Sequence, residues 1–365
     1  MKKLSFILTI ALVISLLAGC AGTPVVYYSN CTCPTGSHEV AVTPAETEAP
    51  AAAEAPVAAE GAVKTGLVLI TGIDGSKNAS AEENGEAKYD VTMVAVLVDD
   101  NGVIQDCIID GISTSVKFDA AGTITSDLTA APQTKNELGE NYGMVAYAGA
   151  IAEWDAQAAA LASYAVGKTV DELRSGAVNE SGYAADADLA SSATIYLGGY
   201  VSAIELAVAN AQHLGAQAGH ELKLACTTGI DSSVSADAEN AGNAQLDVTV
   251  TALTMNGDVI TSCTIDAVQA KVAFDASGII TTDLNTTPST KNQLGEQYGM
   301  VAWGGAIAEW DQQAASFAAY VTGKTVDEVN GIAVDESTHP TDADLTASVT
   351  IAIGGFQALI TKAAQ

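Results

Sequence analysis

The sequence predicts an α+β fold: two tandem copies of an antiparallel sheet, each packed with helices on one side. Three observations carry this. The first is a long internal repeat. Thr134-Lys135-Asn136-Glu137-Leu138-Gly139-Glu140-Asn141-Tyr142-Gly143-Met144 returns as Thr290-Lys291-Asn292-Gln293-Leu294-Gly295-Glu296-Gln297-Tyr298-Gly299-Met300, an offset of 156. The second is that the first half of each copy reads as strands and turns. The third is that the second half reads as helices. Strands followed by helices place a sheet against a helical layer, because each element must bury its apolar face on something.

The same offset of 156 relates Cys107 to Cys263, Phe118-Asp119 to Phe274-Asp275, Trp154 to Trp310 and Thr194 to Thr350. It also relates Gly167-Lys168-Thr169-Val170-Asp171-Glu172 to Gly323-Lys324-Thr325-Val326-Asp327-Glu328. A period of this length is domain-sized, well above that of a solenoid repeat. The copies therefore run over 64–213 and 220–365, joined by the short Gly/Ala-containing segment 214–219.

Within a copy, Val91 to Val98 is rich in β-formers, Asp99-Asp100-Asn101-Gly102 is a turn signal, and Val103 to Phe118 resumes an extended pattern. In the second copy Val248, Val250 and Ala252 alternate with Thr249 and Thr251, which predicts one dry and one wet face. Further on, Ile151, Trp154, Ala158, Leu161 and Ala165 share a helical stripe, as do Ile307, Trp310, Ala314, Phe317 and Val321. Gly167 and Gly323 stop those helices, and a last helix begins near Gly198-Gly199 and Gly354-Gly355.

The amino-terminus divides into three zones. Lys2 and Lys3 are followed by the apolar run Leu4 to Leu17, too short to span a bilayer comfortably, and then by Leu17-Ala18-Gly19-Cys20. This resembles the signal peptide and lipobox of bacterial lipoproteins. The resemblance implies that residues 1–20 carry the export signal, that lipid is attached to Cys20, and that the mature protein is held to the extracellular face of the cell membrane. Acyl chains supply such anchoring at about 0.8 kcal/mol per buried methylene. Residues 21–63 read as a disordered stalk, since the Ala/Pro/Glu-rich stretch from Ala41 to Val63 has no aromatic residue and no hydrophobic period. Cys31, Cys33 and His38 lie on this tether, where a local disulfide or free thiols are favoured over a metal cage.

The formal net charge is −30, and loss of Lys2 and Lys3 with the leader takes it to −32. Nucleic acid and anionic lipid head groups are thereby disfavoured as partners. Apolar residues make up 48% of the chain and aromatics only 5%, so the core must be built from Ala, Val, Ile and Leu. Setting aside Cys20 leaves five cysteines, which implies no complete disulfide framework.

No catalytic constellation is evident, and no metal-ligating set either. His38, His213, His220 and His339 do not repeat at the 156 spacing, so a shared histidine mechanism is excluded. Cys107 and Cys263 read as buried structural thiols. Glu153-Trp154 and Glu309-Trp310 could frame a sugar, but the Trp positions fall on the apolar stripe and favour core packing. Gly-Lys-Thr at Gly167 and Gly323 lacks the upstream glycine of a phosphate loop. These absences favour an electron carrier or binding protein over an enzyme.

One segment points to a cofactor. Asp188-Leu189-Ala190-Ser191-Ser192-Ala193-Thr194 precedes the last helix of the first copy, and Asp344-Leu345-Thr346-Ala347-Ser348-Val349-Thr350 that of the second. Both resemble the Asp-x-x-Ser/Thr-Gly-Ala-Ser/Thr segment of FMN-binding domains in quinone-reductase subunits and extracellular electron-transfer lipoproteins. In that family the final Thr or Ser carries FMN through a phosphoester made by a flavin transferase. The resemblance implies cofactor binding at Thr194, Ser191 and Asp188, and at Thr350 and Asp344, with a membrane electron donor as partner. Placement at a helix start suits a phosphate, because free N–H groups and the helix dipole favour negative charge. The motif glycine is replaced by Ser192 and Ser348, and the following Ala by Val349 in the second copy, which places the first copy nearer the family pattern. The competing expectation is a cofactor-free surface scaffold that captures a peptide, glycan or cation, with this Ser/Thr serving as the cap of the last helix.

Overall fold

The computed structural model describes residues 61–365. The expected leader, the expected lipid site at Cys20, the Cys31/Cys33/His38 group and the expected stalk up to residue 60 lie outside the described residues. Both repeats belong to one compact unit.

The first repeat opens with an antiparallel meander of β1 (Lys64–Gly72), β2 (Gly85–Val98) and β3 (Ile104–Phe118), in the order β1-β2-β3. Helices follow: α1 (Lys135–Leu138), α2 (Met144–Ala148), α3 (Trp154–Ala165), α4 (Val170–Gly176), α5 (Ala187–Ser192) and α6 (Gly198–Ala209). The second repeat has the same plan. Its strands are β4 (Glu221–Gly229), β5 (Gly242–Asn256) and β6 (Val259–Phe274). Its helices are α7 (Lys291–Leu294), α8 (Met300–Gly304), α9 (Trp310–Val321), α10 (Val326–Asn330), α11 (Ala343–Thr346) and α12 (Gly354–Ala363). The α+β class and the two sheet-and-helix units are therefore as the sequence predicts.

Each sheet is buried on both faces. Met93, Ala95 and Leu97 of β2 point into a central core shared with Val248, Val250 and Ala252 of β5. Val94 and Val96 point the other way, onto Trp154, Leu161 and Ile204 of α3 and α6. The layers therefore run helices, sheet, sheet, helices. A strand covered on both sides has no polar face to show, which accounts for the unbroken apolar run from Met93 to Val98. This corrects the expectation of a wet face in β5: Thr251 is fully buried, and its hydroxyl donates to the Thr264 carbonyl at 3.0 Å.

The contacts across the middle are reciprocal. The Ala79 amide donates to the Gly278 carbonyl and the Ala236 amide to the Gly122 carbonyl, both at 2.8 Å. Gly85 and Gly242 sit under the rings of Phe118 and Phe274, where a Cβ would lie 2.3 and 2.4 Å from a ring carbon. These pairs also refine the repeat. Phe118 and Phe274 are 156 apart, but Ala79/Ala236 and Gly85/Gly242 are 157 apart, because the β5–β6 turn at Gly257 is one residue shorter than the β2–β3 turn at Gly102.

One local expectation changes. Ile151 and Ile307 are each 56% exposed and precede their helices, so the apolar stripe begins at Trp154 and Trp310. The short join between repeats is packed: Ala216 is buried, and its carbonyl accepts the amide of buried Val63 at 3.1 Å. Among the described residues no helix is long and apolar enough to cross a membrane.

Candidate functional site

The motif in each second half builds one local frame. Thr134 caps α1 in a capping box with Glu137, and Thr290 caps α7 with Gln293. The Asp110 carboxylate accepts from the amides of Gly111 at 2.7 Å and Asn136 at 3.1 Å, tying α1 to β3. Burial pushes the Asp110 carboxyl upward, and its counterpart Asp266 is pushed up to about 6 for the same reason. The Glu153 carboxylate receives the first amides of α2, Met144 at 2.7 Å and Val145 at 3.0 Å. That employment occupies the Glu153 carboxylate, and Trp154 is 3% exposed as core packing requires. The Gly-Lys-Thr segments are likewise structural: Thr169 and Thr325 form capping boxes with Glu172 and Glu328.

The Thr194 loop is held by a buried glutamine. The Gln157 Oε1 accepts from the Thr194 amide at 2.8 Å, the Ile195 amide at 3.2 Å and the Thr194 hydroxyl at 3.3 Å. Its Nε2 donates to the Ala152 carbonyl at 2.8 Å, and the side chain is fully buried. Gln313 repeats this around Thr350 with amide distances of 2.8 and 3.2 Å. Both threonines are exposed.

Thr194 is not the cap of α6, which corrects the expected placement. The N-cap of α6 is Leu197, and it makes no side-chain capping bond. Ile353 plays the same part for α12, downstream of Thr350. Asp188 and Ser191 belong to the short helix α5 instead, where the Ser191 hydroxyl donates to the Asp188 carbonyl at 2.7 Å. Asp344 occupies the same place in α11. The structure brings neither Asp188 nor Ser191 to the cavity beside Thr194.

That cavity, of about 490 Å³, opens where Ile195 and Tyr196 follow Thr194. Its walls include Lys135, Tyr142, Trp154 and Tyr200, and the first turn of α6 at Gly199 borders it. The Lys135 Nζ stands 4.8 Å from the Trp154 ring centroid and 5.2 Å from that of Tyr142, within cation–π range. Trp154 Nε1 donates to the Tyr200 hydroxyl oxygen at 3.1 Å, which fixes both rings. In the second repeat Ala352 and Phe356 stand where the first has Tyr196 and Tyr200. Phe356 packs against Trp310 and Phe317, with centroids 5.8 and 5.3 Å away, much as Tyr200 packs against Trp154 at 5.7 Å. Lys291 stands 4.8 Å from the Tyr298 and Trp310 centroids, so the second repeat keeps the lysine and these rings and differs in lacking Tyr196 and the Tyr200 hydroxyl.

Sequence reasoning missed Gln157, Lys135, Tyr142 and Tyr200. Gln157 left one legible signal: it sits on the apolar stripe between Trp154 and Ala158, and it recurs as Gln313. Cys107, Cys226 and Cys263 are buried, and burial raises each thiol to about 12. No group of three or more His, Cys, Asp or Glu suited to a metal ion occurs among the described residues. No family model, no curated protein and no solved structure matches the chain.

Proposed function

We propose that the chain is a lipid-anchored surface electron carrier whose first repeat holds FMN beside Thr194. One observation carries this reading: an aromatic cavity lies next to an exposed threonine at the position where the flavin-binding pattern places its attachment residue. The volume of about 490 Å³ falls within the range of roughly 300–1,000 Å³ for small-molecule sites.

The residues fit the group chemically. Tyr142 and Tyr200 offer apolar surface for a planar ring system, and Lys135 supplies positive charge. Esterification of the Thr194 hydroxyl removes only its weakest bond to Gln157, at 3.3 Å, and leaves both amide bonds in place. The loop therefore needs no rearrangement to present its oxygen. FMN, when bound, supplies the redox chemistry, while this chain positions it and shapes its electrostatics. On this reading a flavin transferase loads Thr194, a membrane electron donor reduces the site, Cys20 carries the anchor, and Thr350 is loaded poorly or not at all.

The test is colour and mass. Coexpression with a flavin transferase and flavin should give a yellow protein, with an FMN-sized mass increment on the peptide containing Thr194. A colourless product without that increment, under the same conditions, removes the redox reading.

A second reading is favoured by a different observation. Tyr147 and Trp303, at corresponding positions of α2 and α8, are each 90% exposed, with Val145 and Val301 half-exposed beside them. Paired surface aromatics of this kind suit a cofactor-free binding module for a peptide or glycan. Loss of ligand retention in Tyr147→Ser/Trp303→Ser, with flavin content unchanged, would separate the two.

A further inference from the structure

The two repeats leave two related clefts between them, and the molecule fills only one with a cation. In the first cleft the Lys362 ammonium of α12 reaches across to the other repeat. It donates to the Cys226 carbonyl at 2.7 Å and pairs with the Glu137 carboxylate of α1. Asp110, whose carboxyl is buried, lies on the same side.

The second cleft is built from the corresponding pieces. Cys226 corresponds to Leu69 at the 157 offset of the strands, and Glu137 and Asp110 correspond to Gln293 and Asp266 at 156. Leu69, Gln293 and Asp266 all line a cavity of about 850 Å³ between β1 of the first repeat and β6, α7 and α9 of the second. The counterpart of Lys362 is Leu206, which is 48% exposed and does not line the cavity. No Lys or Arg lines it, and its histidine, His213, is engaged with Asp100 at 2.9 Å. Asp311 also lines it, and its Oδ1 is buried without a hydrogen-bond partner. The cleft is thus lined by two carboxylates, Asp266 and Asp311, and by no lysine or arginine.

We infer that this inter-repeat cleft is a binding site for a primary ammonium group on a slender aliphatic chain, such as an alkyl diamine or a lysine side chain of a peptide. Lys362 is the internal example of the ligand: four methylenes and an ammonium, seated on a carbonyl and a carboxylate. The cleft supplies the Leu69 strand edge in place of the first and Asp266 and Asp311 in place of the second. The site requires both repeats, and it stands or falls independently of flavin at Thr194.

The probe is 1,5-diaminopentane, titrated calorimetrically into the folded chain at low and moderate salt, with 1,5-pentanediol as the neutral control. Saturable binding of one diamine per chain is expected, with no response to the diol. Leu206→Lys combined with Gln293→Glu should rebuild the internal pair, weaken diamine binding at least about tenfold and raise the thermal midpoint. Asp311→Asn should weaken binding without altering the fold, and Lys362→Met should add a second site. Absence of saturable binding, equal binding of the diol, or binding unchanged by Leu206→Lys/Gln293→Glu overturns the inference. Because Leu206 and Gln293 are at the surface, that variant keeps the test decisive even if Asp311→Asn fails to fold.

Discussion

The rings of Phe118 and Phe274 lie parallel at the centre of the molecule, with centroids 4.0 Å apart and an interplanar angle of 1°. They are equivalent residues of the two repeats, so each repeat meets the other through the same surface, as in an isologous dimer. Both rings are fully buried.

This contact should bind the repeats into one cooperative unit. Phe118→Ala is expected to destabilise the chain by about 3–5 kcal/mol. A double-mutant cycle with Phe274→Ala should return a coupling of about 0.5–1.5 kcal/mol. Denaturant unfolding should show one transition in the wild type. Two separated transitions would mean that the repeats fold independently.

Asp266 makes stability depend on pH in a defined direction. Its folded value of about 6 lies above the ordinary 3.8, because burial disfavours the carboxylate more than its hydrogen bonds favour it. The folded chain therefore holds a proton that the unfolded chain releases, so this residue's contribution falls as pH rises from about 4 to about 6. Asp266→Asn removes that dependence. Its stability relative to wild type should improve by up to about 3 kcal/mol between about pH 3.5 and about pH 7. Urea unfolding at the two pH values measures this; a relative stability independent of pH would refute it.

The three described thiols should be inert. With Cys107, Cys226 and Cys263 at 7%, 1% and 4% exposure and their thiols pushed up to about 12, thiolate is scarce and access is blocked. Alkylation with iodoacetamide near neutral pH should label none of them in the folded chain and all three in urea. Rapid native labelling of Cys226 or Cys263 would show that the sheet layers open readily.

Gln157 should control the Thr194 loop. Gln157→Leu keeps the volume but strands the Thr194 and Ile195 amides and the Ala152 carbonyl, at about 1–3 kcal/mol for each group that stays desolvated. Hydrogen exchange at Thr194 and Ile195 should accelerate markedly. Exchange elsewhere in the first repeat should change much less. Unchanged protection at these two amides would mean that α5 and α6 position the loop by themselves.

Much of the fold was legible in the chain. Strand and helix order, the turn at Gly102, the helix stops at Gly167 and Gly323, and the duplication all follow from local chemistry and period. The burial of Trp154 and of Cys107 was legible for the same reason, because a 3.6-residue stripe and a β-rich run each reveal which positions avoid water. The stripe failed at Ile151 and Ile307, where the pattern extended past the helix start set by Glu153 and Glu309.

The sequence by itself determined that there are two homologous units, that strands precede helices in each, and that Thr194 and Thr350 occupy equivalent positions. Only the tertiary structure decided that the sheets bury both faces, that Gln157 rather than a helix cap holds Thr194, and that Lys135, Tyr142 and Tyr200 gather around the cavity beside that threonine. The physical reason is range. Capping, turns and periodicity are written within a few residues, whereas Tyr200 meets Trp154 from 46 residues away and Lys362 meets Cys226 from 136. Such meetings depend on how whole layers stack, and no local pattern in the chain encodes them.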